Sequence, residues 1–258
     1  MSRNWQGEMA EKLSYEIVGK GDPLVCLHAY GLDHTEWMQV AGILKEDFTL
    51  ILPDIRGHGD SPSPTREYSM LDLAGDVIVM LDQLEINQAY YAGHSMGGYI
   101  MLSLAKRYPE RVAGLALVAS HAYTDSPEKI QSRLDTIEKV KLHGPLEVLS
   151  GMPDLLSAVP NVREFCREKI KRMDSFGVMG VLAAMAHRED SMDFLKTFNK
   201  PIGIIAGEND RFIPLETSRE MNGLLKPKMY VELDDCGHMP MMENPEAVAQ
   251  AMRELFQI

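Results

Sequence analysis

Short apolar segments rich in β-branched and aromatic residues recur along the chain, and each is bounded by turn-forming residues. Such segments are typical of β-strands in the interior of a sheet. Seven segments fit this description: Leu13–Val18, Leu24–His28, Phe48–Leu52, Ala89–Gly93, Leu115–Ala119, Ile202–Ala206 and Met229–Leu233.

Longer segments between most of these strands have apolar residues three and four positions apart, which is the spacing of one face of an α-helix. Ser69–Leu84, Met96–Arg107 and Pro245–Phe256 are examples. Strands that alternate with helices predict the α/β class, with a mostly parallel central sheet and helices on both faces. Functional groups are then expected on loops beyond the carboxyl ends of the strands.

The alternation stops between residues 121 and 196, where helical segments follow one another without a strand. Four such segments are Pro127–Leu142, Leu146–Leu149, Val162–Met173 and Val178–His187. We therefore predict a helical cap insertion at 121–196 in a core formed by 1–120 and 197–258. Lying over the sheet edge, this insertion is expected to set substrate specificity.

Composition and charge narrow the possible functions. The chain has 45% hydrophobic and 25% charged residues, as in an ordinary globular protein, and 38 acidic against 26 basic residues. This acidic excess repels nucleic acid and anionic lipid. The apolar runs, such as 112–119 and 176–186, are far below the roughly 18 residues of a membrane span. We therefore expect a small-molecule substrate and neither a nucleic-acid nor a membrane partner. The protein is expected to be a monomer or a homodimer.

The three cysteines show no paired spacing that indicates a disulfide framework or a zinc site. The first eight residues lack the apolar segment of a signal peptide. Both observations predict a cytoplasmic protein. No histidine spacing matches a metal-ligand motif, so neither a metal nor another cofactor is expected.

The sequence Gly93-His94-Ser95-Met96-Gly97-Gly98 directly follows a predicted strand and precedes a predicted helix. In this context G-x-S-x-G predicts a nucleophile elbow, because only small neighbours permit the tight turn that exposes the serine hydroxyl. A glycine-rich connection without chemistry is the alternative for the bare motif. Residues that could activate the serine distinguish a nucleophile elbow from such a connection.

A serine hydroxyl needs a histidine to accept its proton, and the histidine needs a carboxylate to orient it. His238 follows the last predicted strand, and Asp210 follows the strand before it. The chain order Ser95, Asp210, His238 is the order of elbow-type hydrolases. Asp234 and Asp235 are alternative carboxylates, and Glu208 is disfavoured by its position in the loop.

The negative charge of a tetrahedral intermediate requires two hydrogen-bond donors. The amide of Met96 is expected to be one. The loop after the second strand is expected to supply the other, from Tyr30 with Ala29 as the alternative. Substrate-pocket candidates are Ala29, Trp37, Met179, Leu182 and Met239. For Met179 and Leu182, packing inside the cap is the competing interpretation.

From Leu13 to Phe256 the sequence resembles the α/β-hydrolase superfamily. Within it, the chain is similar to the capped serine carboxylesterase, enol-lactone hydrolase and non-haem haloperoxidase-like group, because the nucleophile position holds a serine. The resemblance implies Ser95 as nucleophile, His238 as base, Asp210 as acid, and Tyr30 with Met96 as oxyanion donors. It rests on the elbow and on these further segments: His28-Ala29 with Trp37, Asp54-Ile55-Arg56-Gly57-His58-Gly59-Asp60-Ser61, Tyr108-Pro109-Glu110-Arg111-Val112, Gly207-Glu208-Asn209-Asp210 and Gly237-His238.

Two further segments have a structural and a functional interpretation. The glycines, Arg56 and His58 of the segment 54–61 suggest a phosphate or metal site, but an Arg56 ion pair and tight turns account for them. Five basic residues within 163–172 could recognise an anion. The acidic residues Glu164 and Glu168 among them favour a solvated helix face.

The sequence thus predicts a serine hydrolase of small, largely apolar carboxylic esters or lactones that acts through an acyl-enzyme on Ser95. The same triad also suits cleavage of a C–C bond in a diketone, of a peptide after an N-terminal proline, or perhydrolysis. A ligand receptor with low turnover on a hydrolase scaffold is the alternative from another functional class.

Overall fold

The computed structural model describes residues 11–63 and 67–256. Residues 1–8, on which the prediction of no signal peptide rests, lie outside this part. All seven predicted strands are confirmed, with end shifts of at most three residues. They are β1 (Tyr15–Gly19), β2 (Asp22–Leu27), β3 (Phe48–Pro53), β4 (Ala89–His94), β5 (Val112–Val118), β6 (Ile202–Gly207) and β7 (Met229–Leu233).

The strands form one sheet in the order β1-β3-β2-β4-β5-β6-β7. β1 runs antiparallel to β3, and every other neighbouring pair is parallel. The sheet is therefore mostly parallel, as predicted. The carboxyl ends of β2, β4, β5, β6 and β7 meet at one edge, where the loops after these strands come together.

Helices connect the strands in the part of the chain that the structure describes. Two 3₁₀ turns, His34–Trp37 and Pro109–Arg111, accompany them. The helices are α1 (Met38–Leu44), α2 (Met70–Gln83), α3 (Met96–Arg107), α4 (Pro127–His143), α5 (Pro145–Leu149), α6 (Pro153–Leu156), α7 (Pro160–Ile170), α8 (Ser175–Ala186), α9 (Met192–Thr197), α10 (Leu215–Leu225), α11 (Pro240–Glu243) and α12 (Pro245–Phe256).

Side chains of β2 alternate between two apolar clusters, as expected for a strand covered on both faces. Val25 and Leu27 belong to the cluster that contains α2 and α3. Leu24 and Cys26 belong to the cluster that contains α1 and α12. The sheet therefore lies between two helical layers, which holds the loops at its carboxyl edge on a rigid base.

The segment between β5 and β6 contains six helices, α4 to α9, and no strand. Sequence analysis predicted four of them and missed α6 and α9, which span four and six residues. In this segment α4 packs against α8. The division into a core (1–120 and 197–258) and a cap (121–196) stays a prediction.

Within residues 11–63 and 67–256, no helix combines the length and the apolar character needed to cross a lipid bilayer.

Candidate active site

Ser95 lies on the turn between β4 and α3. Its backbone has φ 49° and ψ −111°, a conformation that residues other than glycine rarely adopt. Two hydrogen bonds to the neighbouring strand region hold it: the Ser95 amide donates to the carbonyl of Val118 at 3.0 Å, and the Ser120 hydroxyl donates to the Ser95 carbonyl at 2.8 Å. A strained, anchored serine after a strand has the geometry of a nucleophile elbow.

The two glycines of the elbow are required by close backbone approach. A Cβ on Gly97 would lie 2.2 Å from the carbonyl oxygen of Leu27, and a Cβ on Gly93 would lie 2.5 Å from the amide nitrogen of Gly98. No side chain fits at either position without a shift of the backbone. This is the physical reason for the glycine spacing seen in the sequence.

His238 and Asp210 form a buried pair on the loops after β7 and β6. Nδ1 of His238 donates to Oδ2 of Asp210 at 2.7 Å, and the two side chains are 2% and 1% exposed. Oδ1 of Asp210 accepts the amides of Phe212 at 2.7 Å and Ile213 at 2.9 Å. The carboxylate orients the imidazole ring and leaves Nε2 available as a proton acceptor.

Burial raises the pKa of the Asp210 carboxyl, but His238 and the two backbone amides outweigh this effect and hold the pKa below its ordinary value. Asp210 is therefore ionised at neutral pH. The alternative carboxylates Asp234 and Asp235 are exposed, and the Asp235 amide donates to Oε2 of Glu208 at 3.2 Å. That bond turns the Glu208 carboxylate toward the end of β7.

One cavity of about 200 Å³ brings Ser95 and His238 together with two residues of the loop after β2, Ala29 and Tyr30. The amide of Ala29 donates to Oε1 of Glu36 at 3.2 Å. The amide of Tyr30 has no hydrogen-bond partner among the described residues. Met96 is the first residue of α3, a position whose amide has no acceptor within the helix.

Of the other pocket candidates, Leu182 lines this cavity, whereas Trp37, Met179 and Met239 do not. Trp37 and Met239 are fully buried in the apolar cluster around α1 and α12. Met179 is buried in the opposite cluster. All three are large apolar side chains, and the structure places them in the core rather than on the wall of this cavity.

Sequence analysis missed a buried pair that lies behind the site. Nδ1 of His94 donates to Oε1 of Glu36 at 2.8 Å, and Nε2 of the same ring donates to the backbone carbonyl of His238 at 2.7 Å. Both side chains are fully buried. Because Glu36 also accepts the Ala29 amide, the pair links the loop after β2 to the loop that carries His238. His94 occupies a variable position of the elbow motif and Glu36 lies in no motif, so the spacing of residues did not single out the pair.

A group of potential metal ligands among the described residues consists of Asp33, His34 and Asp54. Its oxygen atoms already accept hydrogen bonds. Oδ1 of Asp54 accepts both the amide and Nδ1 of His34, at 2.9 and 2.7 Å, and Oδ2 accepts the Asp60 amide at 2.9 Å. Asp33 pairs with Lys169 at 2.9 Å. These interactions give the cluster a structural role, because they connect neighbouring loops.

The segment 54–61 forms tight turns, with φ 78° at Gly57 and 52° at Gly59. The ion pair expected for Arg56 is present: Nε donates to Oδ2 of Asp76 at 2.8 Å and Nη2 donates to Oδ1 at 2.6 Å. Both side chains are 1% exposed. Two parallel bonds of this kind tie the loop to α2 and explain the arginine structurally.

The comparisons with known proteins support the fold. A model of the alpha/beta hydrolase fold matches residues 22–142. The malate-bound structure of a thermophilic esterase from Thermogutta terrifontis is 33% identical, covers 95% of this chain and 93% of its own, and has a TM-score of 0.90.

Two relatives align with this chain over similar lengths. The 3-oxoadipate enol-lactonase 2 of Acinetobacter baylyi is 25% identical over 251 residues, which are 95% of this chain and 92% of the relative. The dihydrolipoyllysine-residue acetyltransferase component of an acetoin cleaving system from Pseudomonas putida is 29% identical over 250 residues. That match covers 92% of this chain but only 64% of the longer relative.

Proposed function

Since the chain belongs to the α/β-hydrolase family, we propose that it is a serine hydrolase of small, largely apolar carboxylic esters or lactones. The observation that carries the proposal is the buried Asp210–His238 pair, 2.7 Å from Oδ2 to Nδ1, on a cavity shared with the strained Ser95. An esterase and an enol-lactonase among the similar proteins support the same class of reaction.

In the proposed reaction, His238 accepts the proton of the Ser95 hydroxyl through Nε2 while the oxygen attacks the carbonyl carbon of the substrate. Asp210 stabilises the imidazolium that forms. The proton then passes to the departing alcohol oxygen, which leaves an acyl-enzyme. Water, activated by the same histidine, releases the acid and restores Ser95.

The oxyanion of the tetrahedral intermediate is proposed to accept hydrogen bonds from the amides of Tyr30 and Met96. Tyr30 is preferred to Ala29 because the Ala29 amide already donates to Glu36. The positive end of the α3 dipole adds to this stabilisation at the Met96 amide.

The size of the cavity supports a small substrate, because about 200 Å³ is below the roughly 300–1,000 Å³ of typical ligand pockets. Much of its wall is apolar, which suits the hydrocarbon body of an acyl group or an alcohol. The apolar residues that line it are Ala29, Met152, Leu156, Leu182, Met185, Phe212 and Ile213.

The test combines covalent labelling with turnover. The protein is incubated with a fluorophosphonate probe, and hydrolysis of p-nitrophenyl esters from acetate to decanoate is measured in parallel. We expect labelling on Ser95, identified by mass spectrometry of peptides, and an optimum among the short esters. The Ser95→Ala variant should show neither. Absence of labelling and of turnover in the wild type would contradict the proposal.

A further inference from the structure

One wall of the cavity that contains Ser95 is formed by α4, and this wall is polar. Lys129, Ser132, Arg133 and Thr136 line the cavity. Their spacing of three, four and seven residues places them on a single face of the helix. Lys129 and Ser132 are exposed, whereas Arg133 and Thr136 are half-buried. The side of α4 next to Ser95 thus offers charged and polar groups to whatever enters the cavity.

The charges at this wall do not balance. Asp125 accepts hydrogen bonds from Nη2 of Arg188 at 2.8 Å and from Nε of Arg133 at 2.5 Å. The side chains of Asp125 and Arg188 are each 5% exposed, and that of Arg133 is 13% exposed. One carboxylate shared by two guanidinium groups leaves one positive charge in excess.

Lys129 adds a second positive charge, because its amino group has no hydrogen bond or ion pair among the described residues. Burial and the neighbouring Arg133 lower the pKa of Lys129. His121, which also lines the cavity, is neutral because burial and Arg188 lower its pKa to about 4. The wall therefore carries an excess of cations in a protein whose net charge is −12.

The basic residues of the segment 163–172 behave differently, which makes the wall of α4 distinctive. Five carboxylates pair with these five basic side chains, so their charges balance. Arg163 pairs with Asp154, Arg167 with Asp154 and Glu164, Lys169 with Asp33, Lys171 with Glu168 and Arg172 with Asp60.

We propose that Lys129 and Arg133 bind a carboxylate group of the substrate. This inference rests on the proposed hydrolase function and specifies its substrate class: a small ester or lactone with an apolar body and one carboxylate. The outer nitrogen Nη2 of Arg133 has no partner among the described residues and is available to donate to that group. A bound anion supplies the countercharge that the wall lacks, in a partly desolvated site where charge attraction is strong.

The experiment compares esters that differ only in charge. One series contains monomethyl succinate, glutarate and adipate against their dimethyl esters, so the charge lies on the acyl side. A second series contains acetoxy acids against their methyl esters, so the charge lies on the leaving group. The quantity measured is the ratio of kcat/KM for the charged ester to kcat/KM for its neutral partner.

We expect a ratio above 1 for the wild type in at least one series, and a decrease of this ratio with added salt because ions screen the attraction. Lys129→Gln should lower the ratio by about tenfold and Lys129→Glu by about a hundredfold. Lys129 is exposed although it lines the cavity, so neither change disturbs the core. Lys139→Gln, on an exposed position of the same helix, is the matched control and should keep the wild-type ratio.

A ratio at or below 1 in both series, or a ratio that Lys129→Glu leaves unchanged, would overturn the inference. Failure of the proposed hydrolase function is recognised separately, as absence of turnover and of Ser95 labelling with every ester. In that case calorimetry with the Ser95→Ala protein still tests the site. Glutarate or adipate should bind, and Lys129→Glu should weaken binding by about tenfold or more; no binding of either dicarboxylate would overturn the inference.

Discussion

The carboxylate of Glu36 and the imidazole of His94 form a fully buried pair, with 2.8 Å between Oε1 and Nδ1. The second ring nitrogen of His94 faces the carbonyl of His238 at 2.7 Å. Two acceptors around one ring favour a proton on each nitrogen. Burial opposes this charge, but Glu36 outweighs it and raises the pKa of His94 above its ordinary value. The ring of His94 thus joins Glu36 to the backbone of the predicted base.

Replacing Glu36 by Gln tests this positioning role. The change replaces the carboxylate that pairs with the buried ring of His94 by a neutral amide, so we expect a loss of about 3 kcal/mol in the free energy of unfolding. We also expect kcat to fall by about 10- to 100-fold, because the His238 backbone and the loop of Ala29 lose their common support. KM should change little, since Glu36 does not line the cavity. Urea unfolding and steady-state kinetics measure these effects.

Two controls separate the pair from a general effect of removing charge. Glu46→Gln removes an exposed carboxylate that pairs with Lys20 on the surface and should change little. The double variant Glu36→Gln/His94→Gln removes both charges, and its unfolding free energy should exceed the value expected from adding the two single effects. Strict additivity would contradict a direct interaction between Glu36 and His94.

Asp210→Asn should lower kcat by about 10⁴-fold, because the neutral amide neither holds the required tautomer of His238 nor stabilises its protonated form. Asp235→Asn is the matched control. This residue is exposed and has φ 54°, a conformation that asparagine tolerates, so its kinetics should equal those of the wild type. A large loss with Asp235→Asn and a small one with Asp210→Asn would reverse the assignment.

Two glycine substitutions should have opposite effects. Gly97→Ala places a Cβ 2.2 Å from the Leu27 carbonyl oxygen, so the elbow must shift. We expect a loss of about 1–3 kcal/mol in stability and at least about 100-fold in kcat. Gly223→Ala in α10 meets no atom within 4 Å and should raise stability by about 0.5–1 kcal/mol with unchanged kinetics. Thermal unfolding and ester turnover distinguish the two.

The Asp125 carboxylate predicts a specific dependence of stability on pH. Burial raises its pKa, but hydrogen bonds from Arg188 and Arg133 outweigh burial and lower the pKa to about 2. Since the folded pKa lies below the unfolded value, the stabilisation is complete above about pH 4 and is lost as the pH falls toward 2. Asp125→Asn should therefore cost about 2 kcal/mol at neutral pH, and this difference should shrink between about pH 4 and pH 2.

Urea unfolding of the wild type and of Asp125→Asn across this pH range measures the difference. Asp193→Asn removes an exposed carboxylate that pairs with Lys196 and is the control, with little change expected at any pH. A difference between wild type and Asp125→Asn that stays constant from pH 7 to pH 2 would show that the carboxylate is not coupled to the two arginines.

The strands were predictable because the interior of a parallel sheet imposes a local requirement on sequence. Segments such as Ile202–Gly207 are apolar at nearly every position, since both faces of the strand are covered. The elbow was predictable for a similar reason: backbone atoms approach so closely at Gly93 and Gly97 that the spacing of small residues records the turn. The short helices α6 and α9 were not recognised, because a helix of less than two turns need not show a helical spacing of apolar residues.

The triad candidates were recognised from chain order and loop position, and the structure places Asp210 beside His238. Their catalytic roles stay predictions until the variants are measured. The pocket candidates were less accurate, because apolar character does not distinguish Leu182, which lines the cavity, from Met179, which does not, although both side chains belong to the same buried cluster. That distinction depends on which side of α8 lies next to the cavity.

The sequence by itself thus determined the strands, the class of fold and the position of the serine elbow, because these depend on patterns within a few consecutive residues. Only the tertiary structure decided which distant charges meet. Glu36 and His94 are 58 residues apart, and Asp125 and Arg188 are 63 apart. Their pairing, and the cationic face of α4 toward Ser95, follow from strand order and helix docking. These are set by packing of the whole chain, which no local pattern encodes.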